Sequence, residues 1–127
     1  MKTLIIEDDV TSSTFLEVAL SEYGEVSVAK DGLTGLGLFM INQYDLVCLD
    51  INMPGISGHE VLQHIRGYET LKGITVGSGV KVFVTSSSRD SENVFAAFRE
   101  NCDEYLTKPF DLNLLTEFIT KHNLQEK

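Results

Sequence analysis

At 127 residues the chain has the length of one domain, enough to bury a core without disulfides or metal staples. Ten basic residues against nineteen acidic ones leave a formal charge of −9, with no Lys/Arg cluster, which argues against binding nucleic acid or an anionic membrane surface. No apolar run approaches the ~20 residues of a membrane span, and the N-terminus lacks the apolar stretch and cleavage site of a signal peptide, so the expected location is the cytoplasm.

Apolar runs and helical patterns alternate along the chain. Lys2–Ile6 reads as a short strand. Residues 11–23 carry Phe15, Leu16, Val18, Ala19 and Leu20 at a helical period, and Gly24 stops it. Glu25–Ala29 is the second strand. Asp31 is suited to cap a helix running to about residue 43. In that helix Gly32, Gly35 and Gly37 each cost about 1 kcal/mol against alanine, yet the stripe Leu33, Leu36, Phe39, Met40 predicts packing onto a sheet. Residues 45–50 form a third strand, apolar enough to be covered on both faces.

A loop of turn formers follows, Asn52-Met53-Pro54-Gly55-Ile56-Ser57-Gly58, then a helix over 59–66 that extends toward 70. Residues 73–79 are a glycine-punctuated connector. Strand four is expected over 80–85, a fourth helix over 91–100 and strand five at Glu104–Thr107. Asp111 caps a last helix whose stripe is Leu114, Leu115, Phe118 and Ile119. Five strands alternating with five helices predict an α/β fold: one domain, a doubly wound five-stranded parallel sheet with helices on both faces. Cys48 and Cys102 show no metal-ligand spacing and read as reduced structural thiols.

The chemistry sits at strand ends. In a parallel sheet the carboxyl ends of strands meet in one crevice, where ligands bind. Glu7-Asp8-Asp9 ends the first strand, Asp50 the third, and Lys108 follows the fifth. At the end of the first strand the turn can present Glu7 and Asp8 to the crevice while Asp9 faces elsewhere. Carboxylates of this kind suit a hard cation such as Mg²⁺, which takes one or two of them and keeps several waters. Asp50 is a candidate metal ligand, a candidate nucleophile toward phosphorus, or both. Asn52 can offer a backbone carbonyl to a cation, Lys108 a positive charge to a phosphoryl group, and Thr85 or Ser86 a hydroxyl.

The segments Leu4-Ile5-Ile6-Glu7-Asp8-Asp9, Leu49-Asp50-Ile51-Asn52-Met53-Pro54-Gly55-Ile56-Ser57-Gly58, Phe83-Val84-Thr85-Ser86 and Tyr105-Leu106-Thr107-Lys108-Pro109-Phe110 carry a likeness. In order and spacing the chain resembles the receiver domain of bacterial two-component response regulators, of the stand-alone, chemotaxis-regulator kind. The resemblance implies a flavodoxin-like fold, phosphorylation of Asp50, and Mg²⁺ held by Asp8, Asp50 and the Asn52 carbonyl, with Glu7 in the outer acidic shell. It implies that Lys108 contacts the phosphoryl oxygens and that its bond to Pro109 is cis. It also assigns Thr85 and Tyr105 to a switch that alters the face made by the fourth helix, fifth strand and fifth helix. The implied partners are a histidine kinase and either a downstream protein target or a histidine phosphotransfer protein, with the chain a monomer or weak dimer.

Three features qualify the likeness: Glu7 where aspartate is usual, the long connector over 70–80, and the serines at 86–88. The chain ends at Lys127, so no DNA-binding or enzymatic output domain is expected. Two other classes fit less well. A flavodoxin-type electron carrier needs a hydroxyl- and glycine-rich phosphate loop where Glu7-Asp8-Asp9 stands. A haloacid-dehalogenase-like phosphatase needs a second aspartate where Asn52 stands. Within the receiver reading, a binding switch and a phosphorelay intermediate both remain open.

Overall fold

The structure, a computed structural model, describes residues 1–75, 77–87, 96, 99 and 101–126. Five strands, β1 (Lys2–Ile6), β2 (Glu25–Ala29), β3 (Leu46–Asp50), β4 (Lys81–Ser86) and β5 (Glu104–Thr107), form one parallel sheet in the order β2-β1-β3-β4-β5. This is the doubly wound, flavodoxin-like arrangement, and its strand order reverses between β1 and β3. The register aligns Ile6 with Leu49 and Asp50 with Thr85, so the acidic ends of β1 and β3 finish level with the hydroxyl end of β4.

Four α-helices are described: α1 (Val10–Ser21), α2 (Gly32–Ile41), α3 (Gly58–Leu71) and α4 (Leu112–Lys121). Each starts where a side chain satisfies orphan backbone N–H groups. Asp9 accepts from Ser12 N at 2.9 Å, Asp31 from Thr34 N at 2.8 Å, and Asp111 from Asn113 N at 2.9 Å. Ser57 and Glu60 make a capping box at α3. α3 thus begins one residue earlier than expected and runs on to Leu71, which shortens the connector. The helix expected over 91–100 lies outside the described residues apart from Ala96 and Arg99.

Because side chains alternate along a strand, the sheet supports two apolar layers. Leu4, Ile6, Val47, Leu49, Val82 and Val84 face α2 and α3 with Phe39, Val61, Leu62 and Ile65. Ile5, Leu46, Cys48, Phe83 and Leu106 face α1 and α4 with Leu16, Leu20, Leu115 and Ile119. Burial pushes the Cys48 thiol up to about 12, so it is inert at neutral pH.

α2 corrects the expected stripe. Phe39 is buried and Leu36 half-buried, but Leu33 and Met40 are 69% and 53% exposed. The glycines explain the rotation. A Cβ at Gly32 would overlap Ile56 and Val61, and one at Gly35 would overlap the Ile6 side chain, so the bare backbone itself is the inward face. Gly35→Ala should therefore destabilise the protein by about 1–3 kcal/mol despite alanine's better helix propensity. Urea denaturation checks this; a stabilised variant would show that Ile6 yields freely.

A second node holds the opposite end of the sheet. Arg66 on α3 donates to Glu69 Oε1, the Val80 carbonyl and the Asn101 carbonyl, each at 2.8 Å, and to Asp103 Oδ2 at 3.2 Å. Glu69 in turn accepts from Val80 N at 2.6 Å and Asp103 from Val82 N at 2.8 Å. The connector therefore ends on the side chains of α3.

Candidate functional site

The β1, β3 and β5 ends bring Glu7, Asp8, Asp50 and Lys108 together, as the strand-end argument requires. One carboxylate oxygen from each of Glu7, Asp8 and Asp50 lies within 4.8 Å of the other two. Glu7 and Asp50 are 1% and 3% exposed, whereas Asp8 is open to solvent. Asp9 points away and caps α1, donating its own N–H to Glu7 Oε2 at 3.1 Å. The Asn52 N–H donates to Asp50 Oδ1 at 3.1 Å, which fixes that carboxylate at the loop after β3.

Gly58 lets the loop close. A Cβ there would stand 2.6 Å from the Ile51 Cα and 2.7 Å from the Asp50 carbonyl oxygen, so α3 can start against the backbone that carries Asp50 only if this residue is glycine.

Lys108 supplies the counter-charge. Its Nζ lies 2.7 Å from Glu7 Oε1 and 3.6 Å from Asp50 Oδ2. Burial works against the ammonium, but Glu7 and Asp50 outweigh it and hold its pKa above the ordinary range. The direct Glu7–Lys108 pair was not foreseen from sequence, which placed Glu7 in an outer shell and Lys108 on a phosphoryl group. No local spacing signals it. The Lys108–Pro109 bond is cis, as the resemblance implied.

Thr85 sits beside Asp50 across the β3–β4 ladder, and its buried Oγ1 finds no hydrogen-bond partner among the described residues. Such a group costs about 1–3 kcal/mol unless an acceptor arrives. Ser86 is buried, Ser87 exposed, and Ser88 lies outside the described residues. Tyr105 is not in the cluster. It stands on β5 opposite Val84 and is 46% exposed.

Three carboxylates facing one lysine leave an excess of negative charge. Burial, and the neighbouring Asp50, raise the Glu7 pKa from 4.5 to about 7. The native state therefore holds a proton that the unfolded chain has released. In metal-free buffer this contribution of Glu7 to stability is full below about 4.5 and is lost as pH rises through 7. Glu7→Gln should flatten that slope. Melting temperature against pH checks it, and a slope unchanged in the variant removes Glu7 as its cause.

The donor set suits a hard divalent cation. All three side chains offer oxygen, and the local charge excess is of the sign a cation offsets. Among the described residues no other group of His, Cys, Asp and Glu meets the same spacing. No described helix is long and apolar enough to cross a membrane.

Comparison with known proteins agrees with this geometry. The family model for the response regulator receiver domain matches residues 3–120. The chain belongs to that family. It is 32% identical over 123 residues to the chemotaxis protein CheY-3 of Vibrio cholerae, covering 95% of this chain and 90% of that one. It is 35% identical over 111 residues to the probable transcriptional regulatory protein SilR of Salmonella typhimurium, covering 87% of this chain and 45% of the relative. The chain thus spans about half the length of the transcriptional regulatory proteins it matches.

Among solved structures, the response regulator TrrA of Thermotoga maritima in complex with Mg²⁺-BeF is 30% identical, with a TM-score of 0.77 over 95% of this chain and 97% of that one. The receiver domain of Ssk1 from Saccharomyces cerevisiae, in co-crystals with the histidine phosphotransfer protein Ypd1, is 25% identical. Its TM-score is 0.84, over 99% of this chain and 90% of that one.

Proposed function

We propose that the chain is a phosphorylation switch that takes a phosphoryl group onto Asp50 from the phosphohistidine of a kinase, with Mg²⁺ required. The observation that carries this is the placement of Asp50: buried, level with Thr85, and flanked by Glu7, Asp8 and Lys108. An Asp50 carboxylate oxygen attacks phosphorus and forms a P–O bond. The donor's P–N bond breaks, its electron pair leaves with the imidazole, and that ring takes a proton from solvent.

Asp8, Asp50 and the Asn52 carbonyl would hold Mg²⁺, with Glu7 behind them. The cation, when bound, neutralises charge on the transferred group and on the crowded carboxylates. Lys108 orients and neutralises the phosphoryl oxygens from the other side. Thr85 Oγ1, unpartnered among the described residues, donates to the phosphoryl group once it is present. Tyr105 then turns in beside β4, and the face around β5 and α4 changes for a downstream target. Catalysis is confined to the chain's own phosphorylation and dephosphorylation.

Likeness to the Ssk1 receiver, which is seen with the phosphotransfer protein upstream of it, supports contact with a protein of that kind, and a relay that passes the phosphoryl group on to one is the second reading. Loss of label from the phosphorylated chain to a histidine phosphotransfer domain favours the relay; gained affinity for a target without an acceptor histidine favours the switch. The primary test is intact mass after incubation with a small acyl-phosphate donor, with and without Mg²⁺. A single phosphoryl addition that needs the cation supports the reading. No addition, with no Mg²⁺ binding by calorimetry, overturns it.

A further inference from the structure

Lys108 has two carboxylates within reach and sits on one of them. Its Nζ lies 2.7 Å from Glu7 Oε1 and 3.6 Å from Asp50 Oδ2. At equal dielectric the Coulomb attraction to Glu7 is about a third stronger, since it scales with inverse distance. The longer distance also lies beyond hydrogen-bond range, so the ammonium donates nothing to Asp50.

Glu7 is held in place to receive it. The side chain is buried, and its Oε2 accepts from the Asp9 N–H at 3.1 Å. Asp9 is itself fixed as the cap of α1, accepting from Ser12 N at 2.9 Å and from Ser12 Oγ at 2.7 Å. The other Glu7 oxygen is left to Lys108. Among the described residues Oε1 accepts no hydrogen bond, so charge alone holds the ammonium there. The lysine backbone is pinned as well, its N–H donating to the Ser86 carbonyl at 2.8 Å at the end of β4. Only the four-carbon stem remains to swing, and a shift on the order of 1 Å exchanges one carboxylate for the other.

We propose that Glu7 is a positioning residue that seats the Lys108 ammonium at rest and so keeps Asp50 open to Mg²⁺ and to the phosphoryl donor. The inference rests on Mg²⁺-dependent phosphorylation of Asp50 as proposed. Asp50 then has two tasks, metal ligand and nucleophile, and its Oδ1 already accepts from the Asn52 N–H. An ammonium bonded to Oδ2 would occupy the remaining oxygen against both. With Lys108 on Glu7, Oδ2 keeps its lone pairs while the counter-charge waits within reach. Phosphoryl oxygens carry more charge than one carboxylate and draw the lysine off its seat when they arrive.

Four chains test the seat at about pH 8, where Glu7 is ionised: unaltered, Glu7→Gln, Lys108→Ala and the double variant, each titrated with Mg²⁺ by calorimetry. Glutamine keeps the acceptor for the Asp9 N–H and loses the charge. In the unaltered background, Lys108→Ala should raise Mg²⁺ affinity by less than about tenfold, because the ammonium is not on Asp50. Glu7→Gln should weaken binding at least about tenfold, and removing Lys108 from that variant should recover more than about tenfold. A crystal structure of metal-free Glu7→Gln should show Lys108 Nζ within about 3 Å of an Asp50 oxygen.

A gain above about tenfold from Lys108→Ala alone overturns the proposal, since Lys108 would already occupy Asp50. That measurement decides the matter even where Glu7→Gln fails to fold by circular dichroism. No larger gain in the Glu7→Gln background than in the unaltered one overturns it too, and leaves Glu7 a carboxylate that acts on the cation directly. Nζ unmoved in the variant's structure does the same. If none of the four chains binds Mg²⁺, the proposal falls together with the Mg²⁺ chemistry it rests on, whereas binding without this coupling removes the seat alone.

Discussion

Asp50→Asn is expected to abolish phosphoryl incorporation while raising folding stability in metal-free buffer by about 1–2 kcal/mol. The two effects share one cause. Asp50 is 3% exposed and crowded by Glu7 and Asp8, and the lysine that offsets it stands 3.6 Å away and nearer to Glu7. Asparagine keeps the acceptor for the Asn52 N–H but removes one buried charge. It also removes the nucleophile, since an amide oxygen forms no stable acyl phosphate. Intact mass reads the first effect and urea denaturation without metal the second. Persisting incorporation would move the acceptor to another residue. A destabilised variant would mean that attraction to Lys108 outweighs repulsion from Glu7. Added Mg²⁺ should raise the melting temperature of the unaltered chain more than that of the variant, because only the former presents all its carboxylates.

Arg66→Ala is expected to cost about 3 kcal/mol, the loss typical when one partner of a largely buried charge pair is removed. Arg66 serves two carboxylates and two carbonyls at once. Without it Glu69, whose side chain is 8% exposed, keeps only the Val80 N–H among the described residues, and Asp103 keeps Val82 N and Lys81 at 3.8 Å. Removing both charges should do less harm than removing one. Arg66→Met with Glu69→Met is therefore expected to recover part of the loss relative to Arg66→Ala. Thermal and urea unfolding measure both. A double variant worse than the single one would show that Glu69's bond to Val80 N matters more than the arginine.

The strands and the acidic site were legible in the sequence because both depend on local pattern plus one rule of parallel sheets. Short apolar runs ending in Glu7, Asp50, Thr85 and Thr107 become level ends once the sheet forms. β1, β2 and β5 fall where the runs lie, β3 starts one residue later, and β4 shifts by one residue at both ends. What escaped depends on the third dimension. Periodicity marked Leu33 and Met40 as inward on α2, because it cannot register that bare glycine backbone packs closer than any side chain. The Glu7–Lys108 pair and the Arg66 node join residues from distant parts of the chain. In sequence Glu69 and Asp103 look like ordinary solvated acids. Their burial follows from where α3 ends, at Leu71, one residue past the expected extension toward 70.

The alternation along β3 has a consequence for signalling. Leu46 and Cys48 look into one apolar compartment, Val47 and Leu49 into the other, so the strand is a partition one residue thick with the proposed phosphoacceptor, Asp50, at its rim. Displacement of Asp50 or Thr85 can be felt on the side of α2 and α3 as readily as on the side of α1 and α4. If Asp50 carries the phosphoryl group as proposed, the same chemical event stands at the edge of both compartments.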